Sequence, residues 1–343
     1  MQKLNLDTLK TLSTLVGISG GEEAVVDAIE AMVAPYADEL RRTPLGDLLV
    51  FKKGEKTPEK TLMICAHTDE VGLIVTDIDS SGYLRFTAVG GVESSVLLGK
   101  TVYVNGTTRG GIGGKPVHLM RGDEREKEVP IRELTIDIGA QSKEEAEAVV
   151  SVGDYVNFEP FFQVNGDTVM GKALDDRMGC AILVDLIQGG DMPYDTWFAF
   201  TTREEVGSVG ASAAAYEINP DLVIAVEGTV AGDVLGTPSP KNCTRLGKGA
   251  AVSFVDRGTV YDRKFFKAAF DLARELDIPC QPRTNNAGRN DASAVQKSRG
   301  GARAAAISVP CRYIHSPVSM AKISDANGAL NLVRALAGRM LEG

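Results

Sequence analysis

Apolar residues near the N-terminus recur at the spacing of amphipathic helices. Leucines within 4–16 follow one helical face, and valine, isoleucine and methionine form a second stripe within 24–36. Ser19 and Glu22 stand three residues apart just before the second stripe, which is the arrangement of a capping box. The pattern predicts two N-terminal helices, the second of them capped by Ser19.

Further along the chain, short apolar runs with strand character alternate with helical patterns. The predicted strands are 48–51, 61–66, 73–76, 196–202, 221–226 and 303–310, and the predicted helices are 178–187, 262–276 and 325–341. Strands that lack polar alternation are buried on both faces, as in a sheet covered by helices. The chain is therefore predicted to have an α/β fold with a mainly parallel sheet flanked by helices.

The texture of the sequence changes between about 77 and 165. Glycine and valine become frequent, the predicted strands are short, and one loop at 121–128 is densely charged. This pattern predicts a small β-barrel or sandwich. We expect a discontinuous α/β domain made of 1–76 and 166–343, with 77–165 inserted for oligomerisation or for control of access.

Composition and charge restrict the partners of the protein. The 343 residues include 37 Lys and Arg against 46 Asp and Glu, a net charge of −9, which disfavours nucleic acid and anionic membranes. The five cysteines form no C-x-x-C pair, which fits a reducing compartment. The sequence shows no apolar signal core and no run long enough for a membrane span. We expect a cytoplasmic protein.

Only three histidines occur, and two of them follow predicted strands. His67 follows the run TLMICA, and Asp69, two residues later, can orient the imidazole. His315 comes shortly after the last predicted strand. We interpret His118, in the predicted insert, as an ordinary surface or core residue.

Acidic side chains are placed in a comparable way. Asp175 precedes a predicted helix, Glu204 and Glu205 follow a buried strand, and Glu227 ends another. Taken singly, each has a simpler explanation as a helix cap or a solvated strand end. Ligands of open α/β sheets, however, bind beyond the carboxyl ends of the strands, where all of these groups would meet.

A crevice lined by so many carboxylates and imidazoles requires a neutralising cation. Mixed nitrogen and oxygen donors suit Zn²⁺, Co²⁺ or Mn²⁺. Six groups exceed what one tetrahedral catalytic ion needs, so we expect two divalent ions per subunit that share a bridging carboxylate. The segment GGIGGKP lacks the residues of a phosphate-binding loop, and no G-x-S-x-G nucleophile motif precedes a helix.

Five motifs, in their order and approximate spacing, resemble those of the tetrahedral, or glutamyl-type, aminopeptidases. They are AHTDEVG, KALDDRMG, TTREEVGSVGA, AVEGT and IHSPV. This family belongs to the co-catalytic dinuclear metallo-exopeptidases, and the resemblance covers nearly the whole chain. It implies a metal-dependent aminopeptidase that removes N-terminal residues from peptides with a free N-terminus, using water activated by two metal ions. It also implies a homo-oligomer, a hollow dodecamer.

The resemblance implies a role for each candidate side chain. His67 and Glu227 would bind the first metal, Asp69 would orient His67, Asp175 would bridge both metals, Glu205 and His315 would bind the second, and Glu204 would be the general base.

Three features of this chain bear on that resemblance. Many family members have Asp where this chain has Glu227, which leaves its denticity and the metal preference open. Arg289 replaces a small residue of the family, and Asp291 receives no role. The resemblance also implies a cis peptide bond after Asp175.

Other functions are compatible with parts of the sequence. A dinuclear site could serve an amide deacylase that acts on small N-acyl compounds. A glycosidase using Glu204 and Glu205 is disfavoured, because adjacent strand residues point to opposite faces. A non-catalytic assembly protein descended from a peptidase would have no need of the complete ligand set. The preferred N-terminal residue and the native metal stay open.

Overall fold

In the described part of the chain, the strands form a mixed sheet of eleven, a separate closed barrel of six and a pair made of 54–56 and 192–194. The structure is a computed structural model that describes residues 1–122, 126–190, 192–238, 242–284 and 288–342. The strands are β1 Glu39–Arg42, β2 Leu48–Lys52, β3 Gly54–Lys56, β4 Leu62–His67, β5 Gly72–Ile78, β6 Leu84–Val89, β7 Thr101–Val104, β8 Thr108–Gly113, β9 Thr135–Asp137, β10 Tyr155–Phe158, β11 Phe162–Asn165, β12 Thr168–Gly171, β13 Met192–Tyr194, β14 Thr196–Thr201, β15 Leu222–Val230, β16 Ala250–Ser253, β17 Cys280–Arg283, β18 Arg303–Arg312 and β19 Ser319–Lys322. The helices are α1 Leu6–Thr14, α2 Glu23–Val33, α3 Lys143–Glu147, α4 Leu174–Gln188, α5 Val209–Ile218, α6 Arg263–Glu275, α7 Ala292–Val295 and α8 Ile323–Leu341.

Four parallel strands form the centre of the large sheet. Their order is β14-β4-β15-β18, and antiparallel strands extend the sheet on both sides, β1 and β2 at one edge and β19, β12 and β11 at the other. All six residues of β4 are buried, as the apolar run predicts for a strand covered on both faces. The predicted α/β fold is confirmed as a mixed sheet flanked by helices, whose parallel pairs are this central group and the pair β16–β17.

Helices cover both faces of the sheet, and the alternation of side chains along β4 separates the two layers. Leu62 and Ile64 pack in a core with residues of α1, α2, α4, α6 and α8. Met63 and Cys65 point the other way, into a core with residues of α5 and α7. None of the helices in the described ranges combines the length and apolar character that crossing a membrane requires.

The barrel is closed by six strands in the order β10-β5-β6-β9-β8-β7. It has its own core, which includes Leu73, Leu84, Ile136 and Val156. The predicted β-rich insert is therefore a closed antiparallel barrel. Its strands begin at Gly72 and end at Phe158, whereas 162–165 pairs in the large sheet. Part of the charged loop, 123–125, lies outside the described residues.

The predicted capping box at the start of α2 is wrong. The helix begins at Glu23 without a side-chain cap. The Ser19 hydroxyl instead donates to Asp69 Oδ2 at 2.6 Å. Glu22 Oε1 accepts from the amides of Gly20 at 2.8 Å and Arg203 at 3.0 Å. Both residues hold distant segments together, so tertiary contacts override the local motif.

Candidate functional site

The predicted site residues converge at the carboxyl ends of the central strands of the large sheet. His67 is the last residue of β4, Glu204 and Glu205 follow β14, and Glu227 lies within β15. The other two groups complete the edge: His315 follows β18, and Asp175 lies in the first turn of α4. Because the central strands are parallel, their carboxyl ends open on the same side, as the strand-end rule predicts.

Asp175 lies between the two imidazoles. Its Oδ1 is 3.5 Å from His67 Nε2, and its Oδ2 is 3.5 Å from His315 Nε2. Each carboxylate oxygen therefore faces a different ring. One side chain thus connects two separate groups of donors.

A second carboxylate joins each imidazole. Glu227 Oε2 is 3.8 Å from His67 Nε2, and Glu205 Oε1 is 3.1 Å from His315 Nε2. The resulting donor groups are His67 with Glu227 and His315 with Glu205, and Asp175 belongs to both. Nitrogen and oxygen donors in such numbers suit divalent transition metals.

Asp69 fixes the geometry on two sides. His67 Nδ1 is 3.1 Å from the backbone oxygen of Asp69 and 3.3 Å from its Oδ1. The same carboxylate accepts from the backbone amides of Glu204 at 2.9 Å and Glu205 at 3.1 Å. Burial opposes its ionisation, but the His67 ring and the Ser19 hydroxyl lower the pKa of Asp69. It orients one imidazole and the loop that carries two glutamates.

Glu204 has the properties of a proton acceptor. Its Oε1 accepts from the Ser208 hydroxyl at 3.3 Å. Burial raises the pKa of Glu204 to about 8; the neighbouring His67 opposes this rise, while Asp291, Glu205 and Asp69 add to it. A carboxyl group tuned toward neutral pH within a cleft is a candidate general base.

The cluster contains shifted pKa values and a buried oxygen that has no hydrogen-bond partner. Burial raises the pKa of Glu227 well above its ordinary value. Burial also opposes protonation of His315, but Asp175 and Glu205 raise its pKa to about 11. Asp175 Oδ1 is a buried atom with no hydrogen-bond partner. A buried carboxylate oxygen without a donor is costly, and a divalent cation between it and the imidazoles would satisfy it. The residues therefore fit a metal centre.

The backbone around the cluster is held in unusual conformations. Ala173, Arg203, Ser208 and His315 have φ between 52° and 59°, in the left-handed region that residues with a Cβ rarely adopt. Such strain persists where the surroundings over-determine a segment, as they often do at functional sites. The peptide bond between Asp175 and Asp176 is cis, as the resemblance implies.

Sequence reasoning missed Asp176. It is fully buried, and ligand atoms of His67, Asp176 and Glu227 lie within 4.8 Å of one another. Its Oδ1 accepts from the Gly179 amide at 2.9 Å and its Oδ2 from the His67 amide at 3.3 Å. Both oxygens are therefore engaged with backbone, whereas Oδ1 of Asp175 has no hydrogen-bond partner. Asp176 ties β4 to α4.

The sequence assigned no role to Asp291 or His118, and the structure gives the two residues different surroundings. Asp291 is buried, its Oδ2 accepts from the Thr201 hydroxyl at 2.5 Å, and burial raises its pKa to about 6. It therefore supports the end of β14, from which Glu204 follows. His118 is exposed in the segment after β8.

A buried ion network lies behind the cluster. Lys172 Nζ donates to Glu70 Oε1 at 2.6 Å and to the Leu15 carbonyl at 2.6 Å, and Arg177 donates to the same Glu70 oxygen at 3.2 Å. Removing one partner from such a buried network typically costs about 3–5 kcal/mol. The network joins the N-terminal segment to the loops that carry His67 and Asp175. Glu70 lies in the motif AHTDEVG, and Lys172 and Arg177 lie in KALDDRMG. Their pairing is visible only in the folded structure.

The cluster opens into a cavity of about 580 Å³. Carboxylates of Asp175, Glu204, Glu205 and Glu227 lie in its wall together with His315. Arg257 and Arg289, which are exposed, and the buried Arg283 also line it. The cavity thus has an acidic floor and a basic rim, and it is large enough for part of a peptide.

Known proteins resemble this chain over nearly its whole length. The family described as M42 glutamyl aminopeptidase matches residues 46–332. A putative aminopeptidase of Acetivibrio thermocellus is 38% identical over 95% of this chain and 96% of its own. A TET aminopeptidase of a marine sediment archaeon, Thaumarchaeota archaeon SCGC AB-539-E09, is 36% identical with a TM-score of 0.93, over 98% of this chain and 96% of that one. The Pyrococcus horikoshii TET1 peptidase is 33% identical with a TM-score of 0.84, over 97% of this chain and 98% of that one. That peptidase has been solved as a dodecamer and is described as able to assemble into a tetrahedron or a large octahedral shell.

We expect Zn²⁺ to release protons when it is added to metal-free protein at pH 7. The reason is that the pKa of His315 is about 11 and that of His67 is also raised, whereas an imidazole binds metal only in its neutral form. Acidification of a weakly buffered solution, followed with a pH indicator, measures the release. His315→Ala should reduce the release, and His118→Ala should leave it unchanged. Binding of Zn²⁺ without acidification would contradict the assignment.

Proposed function

The chain belongs to the M42 glutamyl aminopeptidase family, whose members are metal-dependent, and we propose that it removes N-terminal residues from peptides at a centre of two divalent ions. The enzyme is an aminopeptidase by family. The ligand set, the number of ions and the roles of single residues are our proposal.

The observation that carries the proposal is the position of Asp175 between two imidazoles. One ion would be held by His67, Asp175 and Glu227, and the other by Asp175, Glu205 and His315, which are the donor groups measured above. A glutamate at 227 reaches the His67 side of this arrangement. Zn²⁺ and Co²⁺ suit these donors best, and Mn²⁺ is compatible.

Glu204 would move the protons of the reaction. Bound to the ligands above, the ions would lower the pKa of a water molecule and stabilise negative charge on the carbonyl oxygen of the scissile bond. Glu204 would take the proton from the attacking water and return it to the leaving amine. Asp69 would hold the Glu204 loop in place through its bonds to the amides of Glu204 and Glu205.

A free N-terminus would complement the floor of the cavity. The α-ammonium group of a peptide is cationic at neutral pH, and carboxylates predominate where it would bind. An N-acylated substrate lacks this charge. Hydrolysis of aminoacyl anilides but not of their N-acetyl derivatives, with Zn²⁺, Co²⁺ and Mn²⁺ supplied separately, tests the proposal. Faster hydrolysis of the N-acetyl compounds would favour an amide deacylase instead.

We further propose that the barrel is an inserted domain that serves assembly or access. Its separate core supports this division from the α/β domain. Dodecameric TET1 shares the fold over nearly its whole length, which supports a homo-oligomer here and a dodecamer in particular. The five free thiols support a cytoplasmic location.

Glu204→Gln should lower kcat for an aminoacyl anilide by about 10²–10⁴-fold, the contribution typical of general-base catalysis. The variant should still bind both ions, because Glu204 lies outside the proposed donor groups. Steady-state kinetics and elemental analysis measure the two effects. Glu59→Gln, which changes an exposed glutamate, serves as the matched control. Activity of Glu204→Gln within a few-fold of wild type would refute the role.

Asp175→Ala should lower the occupancy of both ions, because each donor group contains this carboxylate. Elemental analysis of the purified variant, supplied with excess Zn²⁺, measures the occupancy. Asp7→Ala is the matched control, since Asp7 is an exposed aspartate in the first turn of α1. Two ions retained by Asp175→Ala would show that the residue only begins a helix.

Replacing 79–153 by a short Gly/Ser linker should leave a folded α/β domain of lower oligomeric state. The linker would join β5 to β10, which already pair. Leu73→Thr and Val75→Thr would place polar side chains at two barrel-core positions that the excision exposes. The metal content should be unchanged, because all proposed ligands lie outside the excised segment. Light scattering and elemental analysis decide the outcome. A full-size oligomer would show that the α/β domain alone builds the assembly.

A further inference from the structure

Two depressions adjoin the rim of the catalytic cavity, and both are basic. One, of about 400 Å³, is lined by Arg257, Arg289, Ser293 and Lys297 together with two glycines. The other, of about 290 Å³, shares Arg289, Ser293 and Lys297 with the first. Among the described residues, no carboxylate lines either depression. We use the name basic groove for the surface formed by Arg257, Arg289, Ser293 and Lys297.

Arg289 connects the groove to the catalytic cavity, because it lines all three hollows. Two glycines leave room for it. A Cβ at Gly207 would lie 3.4 Å from a terminal guanidinium nitrogen of Arg289, and a Cβ at Gly258 would lie 3.4 Å from its Cβ. The guanidinium group therefore passes close to the loop that begins with Glu204.

The positive charges of the groove have no partners in the described part of the chain. No hydrogen bond or ion pair there involves the side chain of Arg257, Arg289 or Lys297. Three cations so close together repel one another, in a protein whose net charge is −9. A bound anion would relieve the repulsion, and guanidinium groups are well suited to carboxylates.

The proposed reaction determines which part of a substrate reaches the groove. Glu204 returns a proton to the leaving amine, so that nitrogen must lie at the Glu204 carboxyl group. Gly207 is three residues further along, and its amide donates to the Glu204 carbonyl at 2.8 Å. The leaving part of the peptide would therefore extend past Gly207 toward Arg289.

We infer that the basic groove binds a carboxylate carried by the leaving part of the peptide, with Arg289 as the contact nearest the scissile bond. The inference rests on the proposed function. The carboxylate can be the C-terminus of a short peptide or an acidic side chain after the scissile bond. Both present the same group to the same cations.

Three peptides that share the same N-terminal residue, X, distinguish the two sources of the carboxylate. X is the residue whose anilide the protein hydrolyses fastest. X-Gly-Gly carries a terminal carboxylate, X-Gly-Gly-amide carries none, and X-Asp-Gly-amide carries only a side-chain carboxylate. For wild type, kcat/KM should be about 5- to 20-fold higher for X-Gly-Gly than for its amide, a modest effect because the groove is exposed. The ratio should fall as salt is added. A preference for X-Asp-Gly-amide over X-Gly-Gly-amide would identify a side-chain carboxylate as a second source.

Arg289→Gln should bring the acid-to-amide ratio close to one, mainly through KM for the acid. The ratio is the readout because general damage to the catalytic centre lowers both rates together. Arg263→Gln, which removes the same charge from an exposed position outside these hollows, should keep the wild-type ratio.

The outcomes separate the two proposals. If wild type hydrolyses the anilides but treats X-Gly-Gly and both amides alike, the groove does not bind carboxylates and the inference is overturned. An Arg289→Gln ratio equal to that of wild type overturns it as well. If wild type hydrolyses no anilide or peptide, the proposed function itself fails.

Discussion

Several carboxylates and two imidazoles are removed from water at the carboxyl ends of the central strands. The surrounding structure has to offset the cost of burying these ionisable groups. Burial alone raises the pKa of a carboxyl group and lowers that of an imidazole, which would leave both uncharged. Here Asp175 raises the pKa of both imidazoles instead, and they lower its own. Asp175 is thus held ionised between two imidazoles, at a spacing where a metal ion could replace the imidazole protons, and the protein must keep these groups from moving apart.

Two sets of contacts hold them. Asp69 fixes one imidazole and the glutamate loop from the front, through four short contacts. Behind them, Glu70 is bound by Lys172 and Arg177, and burial lowers the pKa of Lys172 to about 8 although Glu70 opposes that shift. These contacts hold the segments that carry His67, Asp175 and the adjacent pair Glu204 and Glu205.

The pattern of apolar and polar residues predicted those features of the fold that depend on neighbouring residues in the sequence. Unbroken apolar runs such as the one in β4 can be buried only between helix layers, and parallel strands bring their ends together, so His67, Glu204 and Glu227 could be placed at one edge. The sequence could not show the pairing of Glu70 with Lys172 or the contact of Ser19 with Asp69. Those bonds join residues 102 and 50 positions apart. For the same reason the run at 73–76, apolar like its neighbours, gave no sign that it pairs in the barrel.

The chain leaves the sheet domain for the barrel two residues after Glu70, and it returns through β11 and β12 to Lys172. The two crossing points are therefore joined by the buried ion pair of Glu70 and Lys172, at 2.6 Å. A module attached in this way can diverge during evolution, by changing its loops, its surface or its size, without disturbing the chemistry beside it. Substitutions of Glu70 or Lys172 at the junction should therefore disturb the site more than substitutions within the barrel.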